Sequence, residues 1–186
     1  MLVLIAGVSG SGKDTIKREI LDRMEKVISI PSYTTRQMRD GDIPGVTYNF
    51  ISDEEFKKMI DNNEFYEYDF HHDKYYGTSK KILNEAINQG YTVIKDIDVN
   101  GVENLVQILK NDIKVVTIFL RVPLDVLKER LINRNPDISQ EELSLRLSRL
   151  EYEESKIPNF NYVIDNIDLE ETIKTIENII NNEYSK

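Results

Sequence analysis

Glycines, small hydroxyl residues and a lysine follow the first apolar segment of the chain in an order that suits phosphate binding. Residues 7–13 read GVSGSGK and fit the pattern G-x-x-x-x-G-K. Glycines let the backbone curl so that successive N–H groups converge on phosphate oxygens, and the ammonium of Lys13 can reach β- and γ-phosphates. An ordinary glycine-rich turn is the alternative. The predicted triphosphate site comprises Gly7, Val8, Ser9, Gly10, Ser11, Gly12, Lys13, Asp14 and Thr15.

The residue after the lysine departs from this motif. The motif has Ser or Thr there to hold Mg²⁺, whereas this chain has Asp14, followed by Thr15. A carboxylate is a harder anionic ligand for Mg²⁺, and its charge is tolerated in the first turn of a helix. An aspartate that only stabilises the start of the helix is an equally good interpretation. Asp14 is therefore a metal-ligand hypothesis.

A second group of polar and aromatic residues lies between positions 32 and 101. Here the chain resembles the guanylate kinase family, whose pattern of S-x-T-T-R-x-x-R-x-G, a later tyrosine, an acidic residue in the next strand, Y-Y-G-[ST] and D-x-D-x-x-G recurs in the same order. The resemblance spans residues 2–168, and the joint match is specific although each piece alone is weak. The matching residues are Ser32, Thr34, Thr35, Arg36, Arg39, Gly41, Gly45, Tyr48, Phe50, Glu67, Tyr75, Tyr76, Gly77, Thr78, Asp96, Asp98 and Gly101.

The resemblance implies Mg²⁺-dependent transfer of the γ-phosphoryl group of ATP to GMP, and it implies a clamp for the GMP phosphate. By the resemblance this clamp consists of Arg36, Arg39, Tyr48 and Tyr76. Arginine suits the role because its planar fork donates two parallel hydrogen bonds to phosphate oxygens. Two arginines on a solvated loop are the alternative interpretation.

The resemblance also implies a guanine-reading group. Guanine presents N1–H and N2–H₂ as adjacent donors, and an ionised Glu67 could accept from both with help from Asp98. The hydroxyls of Ser32 and Thr78 could donate to O6, beside Gly77, and a site that leaves such groups unpaired rejects adenine by roughly 10⁴ or more. Without the family pattern, Glu67 would read as an exposed strand carboxylate.

Two aspartates stand at the end of a predicted strand. Asp96 and Asp98 are two residues apart and project from one face, near where the carboxyl ends of parallel strands place ligands. A metal role for Asp98 is a hypothesis. Lys95 interrupts the apolar run before them, and a buried lysine needs a partner or an exit to solvent. We expect it to pair with one of these aspartates, which would weaken their metal role.

A third cluster of basic residues resembles the lid of the same family. Arg130 and Arg134 are four residues apart and share a helix face, so both can approach a transferring phosphoryl group when a lobe closes. Arg146 matches the lid arginine that precedes the family's glutamate, here Glu153. The alternative is a pair of helices stabilised by Glu–Arg pairs. We predict catalytic roles for Lys13, Arg39, Arg130, Arg134 and Arg146.

Two other interpretations of these motifs remain open. Asn166 resembles the family's asparagine at the adenine edge, but it could equally cap the last helix. A related kinase that acts on a sugar phosphate would explain Asp14, yet it would leave Glu67, Tyr76 and Thr78 without a role. A non-catalytic guanylate-kinase-like scaffold is also possible, although the intact GSGK sequence speaks against it.

The elements that must position these residues alternate between strand and helix. Short apolar runs predict strands at 2–6, 27–30, 91–97, 115–120 and 162–164, with helices between them. Five such strands imply a parallel three-layer α/β core of the P-loop NTPase type. The turn-rich stretch 32–48 reads as loop, and the alternating residues 65–70 read as a strand of an inserted α+β lobe.

These patterns divide a single domain, residues 1–186, into three parts. We predict a core of residues 1–31, 80–123 and 155–186, a GMP-binding lobe of residues 32–79, and a helical lid of residues 124–154. The two histidines, His71 and His72, point to opposite faces of a strand and are not predicted metal ligands.

Composition limits the remaining possibilities. The net charge of −9 disfavours nucleic-acid binding, and an anionic substrate must therefore meet a local basic cluster. With 0 cysteines the chain can form no disulfide or thiolate site, which suits a reducing compartment such as the cytoplasm. No apolar run approaches the ~20 residues of a membrane span. We expect a cytoplasmic protein with small-molecule substrates, either monomer or homodimer.

Overall fold

The computed structural model describes residues 1–71, 73–109 and 111–185, except the side chains of His71 and Arg134. His72 and Lys110 lie outside the described residues. The elements in chain order are β1 (Leu2–Ala6), α1 (Lys13–Arg23), β2 (Val27–Ile28), β3 (Ser32–Thr34), β4 (Tyr48–Phe50), α2 (Asp53–Asp61), β5 (Phe65–His71), β6 (Lys74–Ser79), α3 (Lys80–Asn88), β7 (Thr92–Asp96), α4 (Val99–Leu109), β8 (Val115–Arg121), α5 (Leu124–Arg134), α6 (Gln140–Ser155), β9 (Tyr162–Asp165) and α7 (Leu169–Tyr184).

A five-stranded parallel sheet forms the centre of the molecule, in the order β2-β7-β1-β8-β9. Its middle strand β1 is completely buried, which explains the unbroken apolar run at the start of the chain. The predicted α/β core with five parallel strands is confirmed. The second strand is shorter than predicted, because pairing with β7 involves only Val27 and Ile28 before the chain approaches Pro31.

Helices cover both faces of this sheet, so the core has three layers. On one face Val3 and Ile5 pack with Ile16 of α1 and Ile176 of α7. On the other face Leu2 and Leu4 pack with residues of α3 and α4 such as Leu83 and Val102. The alternation of side chains along β1 distributes them to the two helical layers. The carboxyl ends of the strands are thereby left at one edge, where β1 and β7 lead into loops.

The lobe contains a second sheet, in the order β4-β3-β6-β5. The prediction that residues 32–48 are loop was therefore wrong at both ends, and the strand Lys74–Ser79 was not predicted. The physical reason is long-range pairing: Thr34 lies between Phe50 on one side and Tyr76 on the other. Strands β3 and β4 have 3 residues each, too few to show a periodic pattern.

The two lid helices pack on a small cluster of their own. Leu127, Leu131 and Leu143 meet Val8 of the loop after β1 and Val122 after β8. Ser139 caps α6 by accepting the N–H of Glu142 at 3.1 Å, as the capping pattern predicts. Within the part of the chain that the structure describes, no helix is long and apolar enough to cross a membrane.

Candidate active site

The loop between β1 and α1 adopts a backbone that only glycine accepts easily. Gly10 and Gly12 have φ of 90° and 94°. A Cβ on Gly12 would lie 2.7 Å from Nδ2 of Asn166, so a side chain would also collide with the segment after β9. No side chain caps the start of α1, which leaves its N-terminal N–H groups for a ligand. The loop is thus a preformed anion site.

Lys13 lies folded against this loop. Its ammonium donates to the carbonyl of Gly7, to the carbonyl of Val8 at 3.0 Å and to Oγ of Ser11 at 3.5 Å. Burial lowers the pKa of Lys13, and the carboxylates of Glu153, Asp14 and Asp96 oppose that shift. Acidic groups thus surround the lysine, and phosphate oxygens could replace the loop carbonyls as acceptors.

A cavity of about 380 Å³ opens beside the loop. Arg130 donates to the carbonyl of Asn166 at 3.0 Å, and the Asn166 amide donates to the carbonyl of Ser11 at 2.7 Å. Oδ1 of Asn166 is buried and has no hydrogen-bond partner among the described residues, so it can accept from a ligand. We call this the donor cavity; its wall includes Ser9, Gly10, Gly12, Lys13, Asp14, Thr15, Arg130 and Asn166. Of the other predicted ATP-site residues, Val8 and Ser11 are buried beneath the loop, and Gly7 lies at its start.

A second cavity, of about 360 Å³, lies between the lobe and the end of β7. We call it the acceptor cavity. Gly77 at its wall has no room for a side chain, because a Cβ would come within 2.9 Å of the rings of Phe56 and Phe65. Thr78 is buried behind the wall. The predicted residues that line the cavity are Ser32, Tyr48, Glu67, Tyr76, Gly77 and Asp98.

Glu67 is one of two acidic residues that strand β5 contributes to the wall of the acceptor cavity; the other is Asp69. Its Oε1 accepts a hydrogen bond from the hydroxyl of Thr78. Burial raises the pKa of Glu67 above its usual value, while the charge of Lys95 and the Thr78 hydrogen bond oppose the rise. When ionised, the carboxylate can accept two adjacent N–H groups, as the guanine edge requires.

The two predicted phosphate arginines do not line the acceptor cavity. Arg36 forms a bidentate ion pair with Asp42 at 2.8 and 3.1 Å, and its guanidinium lies 5.1 Å from the ring centre of Tyr48. This pairing lowers the pKa of Asp42 below its usual value. Arg39 is exposed, and its backbone N–H donates to Asp42. Asp42 thus holds this loop together and occupies the fork of Arg36.

A third cavity, of about 580 Å³, lies next to the other two. It shares Ser9 and Lys13 with the donor cavity, and Asp96 and Asp98 with the acceptor cavity. We call it the transfer cavity. Arg146 reaches it from α6, where it donates to Oγ of Ser9 at 3.1 Å and pairs with Glu142 at 2.7 Å. The side chain of Arg134 lies outside the described residues, so its predicted role stays a prediction.

Three charged residues of this region were not among the predicted site residues. Lys17 of α1 forms an ion pair with Asp96, whose pKa is lowered: burial alone would raise it, and the charge and hydrogen bond of Lys17 outweigh that effect. Glu153 and Arg149 line the transfer cavity. The helical spacing of Arg146, Arg149 and Glu153 could have indicated that they share a face.

The prediction that Lys95 pairs with Asp96 or Asp98 was wrong. Its ammonium donates to the hydroxyl of Ser32, and the lysine that pairs with Asp96 is Lys17. The reason is the direction of the side chain, because alternate residues of β7 project from opposite faces of the sheet, so Lys95 is directed away from Asp96. Asp98 has a different partner again, since its Oδ1 accepts the N–H of Gly101 at 2.7 Å in the first turn of α4.

The three cavities offer few protein side chains that could coordinate Mg²⁺. Among the described residues, no group of three or more His, Asp or Glu side chains could hold a metal ion. Mg²⁺ in phosphate-transferring enzymes is commonly held by one or two carboxylates together with substrate phosphates and water. Asp14 lines the donor cavity and Asp98 lines the other two. This donor set fits a metal ion that arrives with the nucleotide.

Comparison with known proteins places these features in a family. The family model for guanylate kinase matches residues 1–183. Guanylate kinase of Rickettsia prowazekii is 36% identical over 187 residues, covering 100% of this chain and 93% of the relative. That of Chlorobium luteolum is 38% identical, covering 97% and 91%. The crystal structure of guanylate kinase from Anaplasma phagocytophilum superposes with a TM-score of 0.74 at 28% identity, covering 100% of this chain and 86% of that one. This chain belongs to the guanylate kinase family.

Proposed function

We propose that this protein transfers the γ-phosphoryl group of ATP to GMP and releases ADP and GDP. The observation that carries the proposal is the continuous series of three cavities, with the phosphate loop at one end and Glu67 at the other. In this assignment ATP occupies the donor cavity, GMP occupies the acceptor cavity, and the reacting phosphates meet in the transfer cavity beside Lys13 and Arg146. The wall residues that neighbouring cavities share support the assignment of adjacent sites to the two nucleotides.

The chemistry consists of positioning and charge neutralisation. A GMP phosphate oxygen forms the new P–O bond, the bond between the γ-phosphorus and the bridging oxygen of ADP breaks, and the electron pair leaves with ADP. The attacking phosphate is already mostly ionised near neutral pH, so no general base is needed. Lys13 would hold the β- and γ-phosphates, and Arg146 would move from Ser9 to the transferring group.

The acceptor phosphate would bind to Arg36, Arg39, Tyr48 and Tyr76. Tyr48 and Tyr76 already stand together, with ring centres 5.9 Å apart. Arg36 would exchange its bond with Asp42 for the substrate phosphate, and the exposed Arg39 would approach from the loop. Arg130 and Arg134, on α5, would approach from the donor side.

The proposed cofactor is Mg²⁺ bound with ATP. When bound, Mg²⁺ neutralises charge on the triphosphate oxygens. Asp14 and Asp98 are the proposed protein ligands, directly or through water. Asp14 is in the first turn of α1, where its negative charge also stabilises the helix.

A substrate panel tests the proposal. Turnover with MgATP is measured for GMP, AMP, CMP, UMP and ribose phosphates by coupling ADP formation to NADH oxidation. We expect GMP to be the preferred acceptor by a large factor. Faster turnover of a ribose phosphate would replace the proposal with a sugar-phosphate kinase, and a calorimetric titration that shows no MgATP binding would indicate a scaffold.

We place this activity in purine nucleotide metabolism of the cytoplasm, in a monomer or homodimer. The absence of cysteine suits that compartment. In functional terms residues 32–79 form the GMP-binding lobe and residues 124–154 form the lid, with the remaining segments as core. Neither a nucleic acid nor a membrane is a proposed partner.

A further inference from the structure

A lysine lies in the wall of the acceptor cavity, on a buried strand where it directly follows the apolar pair Val93 and Ile94. Lys95 belongs to β7 and is 9% exposed. It is directed into the cavity that Ser32 and Glu67 also line. A buried ammonium needs compensation, and the mechanism above gives it no task.

Lys95 determines which way the hydroxyl of Ser32 can act. An ammonium has only donors, so the bond between Nζ and Oγ makes Ser32 the acceptor. Among the described residues the Ser32 hydroxyl makes no other hydrogen bond, which leaves its proton for a group in the cavity. The ammonium itself has three protons and one such acceptor, and it too can donate into the cavity.

Glu67, which lines the same cavity, has the reverse polarity. Its Oε1 accepts a hydrogen bond from the hydroxyl of Thr78, and an ionised carboxylate has only acceptors. The positive charge of Lys95 opposes the effect of burial on Glu67, and the negative charge of Glu67 does the same for Lys95. Each buried charge therefore stabilises the charged form of the other.

We propose that Lys95 sets the hydrogen-bond polarity of the base site: with Ser32 it offers donors to the base, while the carboxylate of Glu67 in the same cavity offers only acceptors. This inference rests on the proposed function of the acceptor cavity. A 6-oxopurine presents an acceptor, O6, next to a donor, N1–H, and it matches both edges. A 6-aminopurine presents a donor next to an acceptor, so it meets donor against donor and acceptor against acceptor. Lys95 is thus a specificity-determining residue of the acceptor site.

The decisive variant is Lys95→Gln. Glutamine can still bond to Ser32, but it can accept as well as donate, so Ser32 is no longer obliged to offer its proton. We measure kcat/KM for GMP, IMP and AMP at saturating MgATP. The ratio of GMP to AMP should fall about 10- to 100-fold through a higher KM for GMP, with the KM for ATP unchanged. IMP, which keeps O6 and N1–H, should lose as much as GMP.

Two further variants separate this role from a structural one. Ser32→Ala should lower the same ratio, and the double variant should be no worse than Lys95→Gln alone, because both changes remove one donor edge. Lys156→Gln, which removes a surface ion pair with Glu103 at 3.0 Å, is the matched control and should leave the ratio at the wild-type value.

The proposal is overturned by a wild-type ratio in Lys95→Gln, by equal losses for GMP and AMP, or by a double variant that shows the full product of the single effects. If Lys95→Gln does not fold, Ser32→Ala decides, and an unchanged ratio in that variant overturns the inference. Failure of the wild-type protein to phosphorylate GMP would instead contradict the proposed function, so the two failures are distinguishable.

Discussion

The donor and acceptor cavities of this protein are lined by different kinds of chain segment. The donor cavity is formed largely by one short segment, residues 9–15, of which six line its wall. The acceptor cavity is formed by side chains from β3, β4, β5, β6 and the end of β7, which are far apart in sequence. In the proposed function, backbone groups bind the phosphates that every nucleoside triphosphate has, and side chains read one base. We therefore expect base selectivity to depend on the acceptor cavity.

The charges at the two cavities also differ. Lys13 at the donor cavity is a half-buried cation whose pKa is lowered by partial burial, and acidic groups around it oppose the shift. Glu67 at the acceptor cavity is a half-buried carboxyl whose pKa is raised by partial burial, and Lys95 opposes that shift. Substitution of Lys13 should therefore lower turnover equally with every acceptor substrate. Substitution of Glu67 should lower kcat/KM selectively for GMP.

The largest effect is expected at the loop lysine. Lys13→Met removes the cation that meets the β- and γ-phosphates, which should lower turnover by ~10³ with every acceptor, since one such group supplies about 3 to 4 kcal/mol of transition-state stabilisation. Steady-state kinetics and a thermal unfolding curve are the measurements. Lys26→Met, at an exposed position, is the control and should keep full activity. Turnover within a few-fold of wild type would remove Lys13 from the mechanism.

A somewhat smaller loss is expected at the lid. Arg146→Met should lower kcat by ~10² because the transferring group loses one positive charge, while the KM for GMP changes little. Arg18→Met is a matched control, since the Arg18 side chain is 68% exposed on α1. If the KM for GMP rises instead and kcat is retained, Arg146 binds the acceptor nucleotide and does not act on the transferring phosphoryl group.

Glu67→Gln should affect one substrate only. Glutamine replaces one acceptor by a donor, so kcat/KM for GMP should fall by roughly 10 to 10² while the KM for ATP stays constant, because a charge-assisted hydrogen bond contributes about 1.5 to 3 kcal/mol. Initial rates at varied GMP and varied ATP separate the two. An equal loss on both substrates would contradict the selective role of the acceptor cavity.

Acidification should weaken base binding before it affects the loop. The pKa of Glu67 is raised above 4.5, so its carboxylate is protonated at a higher pH than that of an ordinary glutamate. The affinity for guanosine should be full above that raised pKa and fall several-fold as the pH drops through it. Guanosine is the ligand for calorimetry because it has no titrating phosphate. Lys95, Asp98 and Asp69 face the same carboxyl.

The control for this titration is Glu67→Gln, which should bind guanosine weakly and with no pH dependence over the same range. A wild-type affinity that first declines only below 4.5 would mean that Glu67 is not shielded from water as the structure describes.

The smallest effect is expected at Asp14. Asp14→Ser restores the residue type that the loop motif has at this position, and it should shift the Mg²⁺ concentration for half-maximal rate by a few-fold to about 10-fold, since one carboxylate ligand is exchanged for a hydroxyl. The measurement is a Mg²⁺ titration at fixed ATP. An unchanged Mg²⁺ dependence removes Asp14 from the metal shell and leaves it as a residue that stabilises the start of α1.

The parallel core and the loop after β1 were predictable because their signals are local. Five buried apolar runs separated by helical periods leave little choice of architecture, and GVSGSGK is contiguous. The lobe sheet was not predictable, since Ser32–Thr34 and Tyr48–Phe50 are strands only through pairing with each other and with β6. The loop around Arg36 could be recognised by its family pattern, but not its ion pair with Asp42.

Local sequence therefore accounts for the fold class and the phosphate loop, because these depend on neighbours along the chain. The acceptor residues could be recognised only by the order of short motifs spread over residues 32–101. Only the tertiary structure determines which groups the charged side chains contact. Lys95 contacts Ser32, Lys17 contacts Asp96, and Arg146 contacts Ser9. Such pairs join residues from different elements. Their geometry depends on which face of a strand a side chain projects from and on where a helix packs against the sheet. That information arises only when the layers pack.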